Sequence, residues 1–155
     1  MIKRHKVRDT DLEGKLKKMF PHFFKERFIE CSVNDGWAVL VYLLCNMIEA
    51  HFDVRNEIGD KNVKKERDEF QIFQIKEKLG ELRFYCNSSN EYVSGLVSTI
   101  MAISSYTCEF CGTMKDVGKT RDWIKTVCKD CLKEYFTDDT EWKPLEIQKL
   151  LSKEE

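Results

Sequence analysis

Long apolar runs are missing from this sequence of 155 residues. None approaches the roughly 18–20 residues that a helix needs to cross a membrane, so no membrane segment is predicted. The first residues, Met1 to Lys6, are basic, but no apolar segment follows them as it would in a signal peptide. The protein is therefore expected to stay in the cytoplasm where it is made.

An excess of basic residues is missing as well. The 26 lysines and arginines are balanced by 27 aspartates and glutamates, giving a formal net charge of −1. Proteins that bind nucleic acids usually carry a clear basic excess, because their partner is a polyanion. Nucleic acid is therefore a possible partner but not the favoured one.

Sequence motifs of common catalytic sites are also absent. The sequence contains no HExxH, no glycine-rich phosphate loop and no GxSxG. Of its three histidines, His51 lies near the end of the predicted main helix, where a cation would favour the helix C-terminus. No acid–base pair stands out, so the chain is not expected to be an enzyme.

The N-terminal part of the chain is predicted to be helical. Within residues 1–33, a short helix begins at Asp11 and ends near Pro21, because a residue before proline avoids the α conformation. A second helix is predicted over residues 36–52 from the helical spacing of its apolar positions, with Asn34 or Asp35 as the N-cap.

The middle of the chain predicts a mobile segment, a hairpin and a further helix. Eleven of the seventeen residues in 53–69 are charged, which is typical of an exposed loop or a frayed helix. The residue patterns of 70–75 and 81–86 predict two strands joined by a turn over residues 76–80. An amphipathic helix with apolar positions from Val93 to Ser104 follows.

Together these elements predict an α+β fold in which helices pack on a β-hairpin. We expect residues 1–105 to form the core, and residues 106–155 to form a C-terminal metal module and tail that pack with the core as one unit. Seven cysteines without a signal sequence make a disulfide framework improbable. Three of them are expected to be free core thiols: Cys31, Cys45 and Cys86.

The other four cysteines form two CxxC pairs separated by sixteen residues: Cys108 with Cys111, and Cys128 with Cys131. A two-residue gap lets both sulfurs of a pair reach one ion, and two pairs complete a tetrahedral four-sulfur shell. Zinc is the predicted ion, with iron as the alternative. Four protein ligands leave no position for water or substrate, which predicts one structural zinc ion.

The residues after Cys131 look like the start of a helix, which favours a treble-clef arrangement over a zinc ribbon. Some treble-clef proteins are nucleases whose histidines lie between the two metal-binding turns. Residues 112–127 contain no histidine, so a nuclease would lack its general base and catalytic metal ligands. A degenerate nuclease of the HNH type is therefore the least favoured function.

Several stretches resemble a family of small uncharacterised bacteriophage and prophage proteins. The hairpin sequence from Ile75 to Tyr85 is similar to the family's signature, and Asp35-Gly36-Trp37 resembles the start of its first long helix. The CxxCG turn from Cys108 to Gly112, a tryptophan (Trp123) and the second cysteine pair follow in the same order. The resemblance covers roughly residues 34–135.

This resemblance implies a phage-type zinc protein and brings no established activity with it. The sequence departs from the family at Glu81, where glycine is usual, and at Cys131, which replaces a frequent histidine. Zinc accepts cysteine and histidine equally. The favoured hypothesis is an accessory or regulatory factor that binds a host protein, such as a defence or transcription component. The alternative is a nucleic-acid-binding zinc module.

Two candidate contact sites accompany these hypotheses. Arg83 and Tyr85 lie on the hairpin face opposite Leu82 and Phe84, and both residue types are common in interface hot spots. They are the predicted partner-binding residues. Trp123 precedes the second cysteine pair and is predicted to cover the zinc sulfurs. Stacking on a nucleic-acid base is its alternative role.

Overall fold

The computed structural model of the protein describes residues 11–88 and 90–152. These residues form six α-helices and six short strands in an α+β fold, which confirms the predicted fold class. The first ten residues of the segment predicted to be helical lie outside the described part.

The N-terminal segment contains one predicted helix and one strand that was not predicted. Helix α1 (Leu12–Met19) starts at Asp11, whose carboxylate accepts a 3.1 Å hydrogen bond from the N–H of Gly14. It ends just before Pro21, as expected. The prediction that the rest of residues 1–33 is helical was wrong, because strand β1 (Glu30–Ser32) pairs in parallel with a strand more than forty residues later.

The main helix is longer than predicted. A 3₁₀ turn (Asp35–Trp37) leads into helix α2 (Ala38–Glu57), which continues five residues beyond residue 52. Asn34 occupies the N-cap position of the 3₁₀ turn, but its side chain makes no capping hydrogen bond. That side chain bonds elsewhere, so the expected cap is not formed by Asn34.

Of the two structures predicted for residues 53–69, an exposed loop or a frayed helix, the loop was wrong. This segment contains the last turn of α2 and helix α3 (Val63–Glu69). The charges pair with each other: Arg55 bonds Glu66 through both terminal nitrogens, and Arg67 contacts Asp53. Such pairs hold a highly charged segment in an ordered form, which a count of charges does not reveal.

The predicted hairpin is present, with a tighter turn. Strand β2 (Ile72–Lys78) and strand β3 (Glu81–Cys86) are antiparallel, and the sheet order is β1-β2-β3. Only Leu79 and Gly80 form the turn, with φ angles of 55° and 70°. Two consecutive positive φ values are typical of a type I′ turn, in which glycine is favoured. Residues 76–78, predicted as turn, belong to the strand.

Helix α4 (Glu91–Ser104) packs against strand β3 and against α2. The side-chain oxygen of Asn90 caps its start by accepting hydrogen bonds from the N–H groups of Tyr92 and Val93. The apolar side of α4 joins the core formed by α2 and the sheet. The largest side chains that are almost fully buried in this core are Trp37, Phe23, Phe52, Leu16, Leu44, Ile48, Ile72, Ile75 and Leu82.

The C-terminal segment forms a second, smaller sheet with its own apolar cluster. Strands β4 (Val117–Thr120) and β5 (Thr126–Cys128) form a hairpin, and helix α5 (Lys129–Tyr135) follows directly. Strand β6 (Trp142–Pro144), which was not predicted, pairs with the other side of β4. A short helix α6 (Gln148–Leu151) ends the described chain.

Within the described residues, 11–88 and 90–152, one helix is long and apolar enough to cross a membrane by length and composition alone. It comprises Asp35–Glu57, and its most apolar window has a mean hydropathy of 1.3. The core helix of a globular fold passes the same test, and 39% of this window is buried inside the protein. This helix includes the segment predicted as the main helix, whose apolar runs are interrupted by Asn46 and Glu49.

Candidate metal centre

The two cysteine pairs are brought together by different local structures. Cys108 and Cys111 lie in a turn after α4, closed by a 2.9 Å hydrogen bond from the N–H of Gly112 to the carbonyl oxygen of Cys108. Gly112 has a φ of 80°, a conformation that glycine adopts without strain. Cys128 ends β5 and Cys131 lies in the first turn of α5, where its N–H points at the Cys128 sulfur.

The four sulfur atoms form a compact group. All lie within 4.8 Å of one another, and the Sγ atoms of Cys111 and Cys128 are 3.7 Å apart. With a metal–sulfur bond of about 2.3 Å, tetrahedral geometry requires sulfur–sulfur distances of about 3.8 Å. The group could therefore hold one metal ion, and it is the only such cluster of histidine, cysteine or acidic side chains in the described residues.

The protonation chemistry of these thiols fits a cation at their centre. Burial raises the pKa of Cys108 to about 12 and also raises the pKa of Cys131. Burial acts in the same direction on Cys111, but hydrogen bonds from the Thr113 backbone and neighbouring sulfurs outweigh it and lower its pKa. Buried thiols become thiolates only when a positive charge compensates them, and a bound metal ion supplies that charge.

Aromatic side chains from both sides of the centre pack next to it. The ring of Phe110, between the first two cysteines, stacks on Tyr135 at a centroid distance of 5.0 Å and meets Phe136 edge-on. Trp123 was predicted to cover the sulfurs, and that prediction was wrong. It lies in the β4–β5 turn with 69% of its surface exposed, and Phe110 occupies the position beside the cysteines instead.

A buried carboxylate next to the first cysteine was missed by the sequence analysis. Glu109 is fully buried and accepts hydrogen bonds from Lys125 Nζ (3.1 Å), the N–H of Thr126 (3.0 Å) and the side chain of Asn34 (3.0 Å). Burial raises the pKa of Glu109 to about 7, and the ammonium group of Lys125 opposes this shift. Nothing in a CxxC pattern signals that one of its middle residues points inward.

Lys125 is the centre of this network. Its Nζ also donates a 2.7 Å hydrogen bond to Glu77 on β2. Burial, which lowers the pKa of a lysine, is outweighed by the two carboxylates Glu109 and Glu77, so the pKa of Lys125 is raised. The residue therefore carries its charge in a buried position, and it links the C-terminal segment to the first sheet.

The segments before and after residue 105 also meet at the start of α2. The N–H of Gly36 donates to the carbonyl oxygen of Glu109, and Trp37 Nε1 donates to the carbonyl oxygen of Thr107. A Cβ atom on Gly36 would lie 2.4 Å from the carbonyl oxygen of Cys108. The residues Asp35-Gly36-Trp37 thus form a docking point for the turn that carries Cys108 and Cys111.

The turns of the two hairpins lie side by side. Thr126 Oγ1 donates a 2.6 Å hydrogen bond to the carbonyl oxygen of Gly80, and a Cβ atom on Gly80 would lie 3.3 Å from Ile124. Next to this contact, Leu79 and Trp123 expose 59% and 69% of their surfaces. We call the surface formed by Leu79, Trp123 and Ile124 the hairpin tips.

The predicted partner-binding residues lie on the outer face of the first sheet. Tyr85 is exposed, with the ammonium group of Lys76 5.5 Å from its ring centroid. Arg83 is half-buried and forms a 2.8 Å ion pair with Glu81. The structure therefore leaves Tyr85 accessible and places Arg83 in an existing pair on the same face.

The histidines and the other three cysteines of the described residues lie outside the four-cysteine cluster. Because α2 continues to Glu57, His51 lies six residues before its end and outside its last turn, so the role predicted for it at the helix C-terminus was wrong. Its ring stacks on Tyr92 at 4.3 Å. His22 bonds Glu49 at 2.6 Å. The other three cysteines are free, Cys45 being buried and Cys31 and Cys86 half-buried.

Comparisons with family models, with curated proteins and with solved structures find no match to this chain.

Proposed function

We propose that the four cysteines bind one structural zinc ion in a treble-clef module. The order of elements supports this proposal: a metal-binding turn, the β4–β5 hairpin, and a second pair of ligands at the start of α5. Zinc accepts four sulfurs in a tetrahedron without geometric penalty, whereas iron is the alternative for the same ligands. All four positions are filled by protein, so the ion has a structural role.

The module would make the protein a non-enzymatic binding factor, of the kind expected for the phage proteins that its sequence resembles. We propose that it acts in the cytoplasm of a bacterial host by binding a host protein. The observation that carries this proposal is the pair of hairpin tips, where Leu79 and Trp123 are exposed on adjoining turns. Tryptophan and tyrosine dominate the energetics of protein interfaces, and Tyr85 lies on the adjacent strand.

The hairpin tips are suited to binding because contacts between the two hairpins should restrain them. A hydrogen bond joins Thr126 to Gly80, and an ion pair joins Lys125 to Glu77. A rigid surface loses little conformational entropy when a partner binds, so more of the contact energy appears as affinity. The zinc ion would contribute by holding the β4–β5 hairpin against the first sheet.

Nucleic acid is the second candidate partner. The exposed Trp123, beside the exposed Arg121, has the character of a base-stacking site. The pairing of the nearby basic residues argues against nucleic-acid binding. Of the basic residues around the cysteines, Lys125 is buried between two carboxylates and Arg121 forms an ion pair with Glu141. A protein partner is therefore favoured.

An affinity capture from bacterial lysate tests the proposed function. The immobilised wild-type protein is compared with Leu79→Ala/Trp123→Ala and with Arg83→Ala/Tyr85→Ala. Ile29→Ala, at an equally exposed apolar residue before β1, serves as the control. A specific partner should be retained by the control and weakened by at least roughly 2 kcal/mol, the usual hot-spot threshold, in the first double variant.

The outcomes separate the alternatives. If both double variants retain the partner as wild type does, the interface lies elsewhere. If treatment with nuclease releases everything that was captured, the partner is a nucleic acid and the second candidate replaces the first.

A further inference from the structure

Helices α2 and α4 form an antiparallel pair with one side open to solvent. The ring stack of His51 on Tyr92 joins them at one end, and the hydrogen bond from Trp37 to Thr107 lies at the other. Each helix carries a row of exposed residues at helical spacing next to the groove between them. These rows are Val39, Leu43, Met47, Ala50 and Val54 on α2, and Tyr92, Gly95, Thr99 and Ala102 on α4. We call them the α2–α4 face.

This face differs in charge from the rest of the surface. None of its nine residues is charged, although 34% of the whole chain is. Helix α3, by comparison, has six charged residues among seven. A helix that is apolar on both sides is usually buried on both sides, and α2 is apolar enough to pass a membrane-span test. Among residues 11–88 and 90–152, only one side of α2 is covered by other elements.

Gly95 gives a second, independent indication that something approaches this face. It lies in the interior of α4, where glycine weakens a helix relative to alanine. Its φ angle is negative, and a Cβ atom built on it has no neighbour within 4 Å. No contact among the described residues therefore requires glycine here. A bare helix backbone does allow a second helix to pack closely against it.

We propose that a second copy of this chain packs on the α2–α4 face, so that the two helix pairs form a four-helix interface around a two-fold axis. Interfaces between identical subunits are more apolar than other interfaces, and charged residues are depleted at interface centres. A face without charge is complementary to itself, because a two-fold axis brings no like charges together. A different partner protein would instead be selected by complementary charges, which this face does not offer.

The size of the face is sufficient for a dimer. At 1.5 Å per residue and about 10 Å in diameter, the rows from Val39 to Val54 and from Tyr92 to Ala102 present on the order of 400 Å² in projection. The accessible surface of a rough face exceeds its projection, which brings it toward the roughly 600 Å² per partner at the lower end of stable interfaces. The hairpin tips are formed by other elements, so each copy would keep its own.

Sedimentation velocity of the full-length, metal-loaded protein tests the proposal. We expect the wild type to sediment as a dimer of the 18.4 kDa chain and to dissociate on dilution. Two variants disrupt the face from different helices: Leu43→Glu places like charges across the two-fold axis, and Gly95→Leu blocks close approach. Each should raise the dissociation constant at least about 100-fold.

The control is Ile29→Glu, which puts the same charge on an equally exposed apolar residue outside the face. It should remain dimeric. Circular dichroism shows whether each variant is folded. Because the two substitutions lie on different helices, either variant alone tests the interface if the other does not fold. Glutamate has about the same helix propensity as the leucine it replaces, and leucine has a higher helix propensity than glycine. The monomer itself should therefore tolerate both changes.

Three results would overturn the proposal. The wild type might remain a monomer up to about 100 µM, a concentration at which a specific dimer would form. It might be a dimer that both folded variants retain, which would place the interface elsewhere. Or a monomeric protein might float with phosphatidylcholine vesicles in a Leu43-dependent way, which would assign the face to a lipid surface.

Discussion

The ammonium group of Lys125 lies between two carboxylates from different parts of the chain, 2.7 Å from Glu77 and 3.1 Å from Glu109. Glu77 belongs to the first sheet, whereas Glu109 lies between two candidate metal ligands. The position of the first metal-binding turn relative to the sheet therefore depends on a buried charge. Removing the lysine would leave two carboxylates facing each other in a poorly hydrated site.

Lys125→Met should lower the free energy of unfolding by about 3–5 kcal/mol, because breaking a buried ion pair leaves an uncompensated charge. Urea unfolding of the metal-loaded protein measures the change. Lys129→Met, at an exposed lysine in the first turn of α5, should stay within about 0.5 kcal/mol of wild type. Equal effects of both substitutions would mean that the network contributes nothing specific.

Cys111→Ser should abolish stoichiometric metal binding and unfold at least the C-terminal segment. Structural zinc contributes roughly 10–16 kcal/mol in peptide models, which is comparable to the stability of a whole domain. Elemental analysis should find one zinc per chain in the wild type and in the control Cys86→Ser, whose thiol lies outside the cluster. Wild-type protein without metal when freshly purified would reject the zinc assignment, and iron in its place would revise it.

Gly36→Ala should destabilise the protein by about 1–3 kcal/mol or more, as expected when a tightly packed site is overfilled. The new methyl group would lie 2.4 Å from the carbonyl oxygen of Cys108, so the first metal-binding turn must move. The variant should also lose zinc faster to a chromogenic chelator. Normal stability combined with normal zinc release would show that this contact is looser than the structure indicates.

The pH dependence of stability should contain a contribution from His51. Burial, with Arg55 nearby, lowers the pKa of His51 below its ordinary value of 6.5. Between its folded and unfolded pKa values the unfolded chain binds more protons, so stability falls as the pH drops below about 6.5. His51→Phe keeps a ring next to Tyr92 and removes the titration. Its melting temperature should fall less steeply than that of the wild type between pH 7 and pH 5, and identical slopes would contradict the assignment.

Binding to duplex DNA should be weak. With a net charge of −1 and two of the local cations already paired, we expect no affinity tighter than about 10⁻⁶ M at physiological salt, the range of non-specific binding. A gel-shift titration at two salt concentrations measures it. Nanomolar binding that weakens steeply with salt would make nucleic acid the favoured partner.

Features encoded by neighbouring residues could be predicted from the sequence. The helical spacing from Trp37 to Ile48 predicted α2, and the strand pattern ending at Cys86 predicted the hairpin. The CxxC spacing alone identified the four cysteines that the structure brings together. In each case the pattern and the element it forms occupy the same stretch of chain, so no distant contact had to be known.

Features that depend on distant contacts could not be predicted. Strands β1 and β6 have three residues each, too few to show a period, and they exist because other strands pair with them. The order in residues 53–69 depends on pairs such as Arg55 with Glu66. Glutamate is usually exposed and tryptophan is usually largely buried, whereas here Glu109 is buried and Trp123 is exposed. Both placements depend on how distant segments pack together.

The contact between Gly80 and Thr126 has a consequence for how this sequence can change over generations. A Cβ atom at position 80 would lie 3.0 Å from the threonine hydroxyl, and the backbone there has a positive φ. A larger residue at position 80 would be strained by the positive φ whatever residue stands at position 126, so glycine should persist at position 80 while the chain keeps this turn.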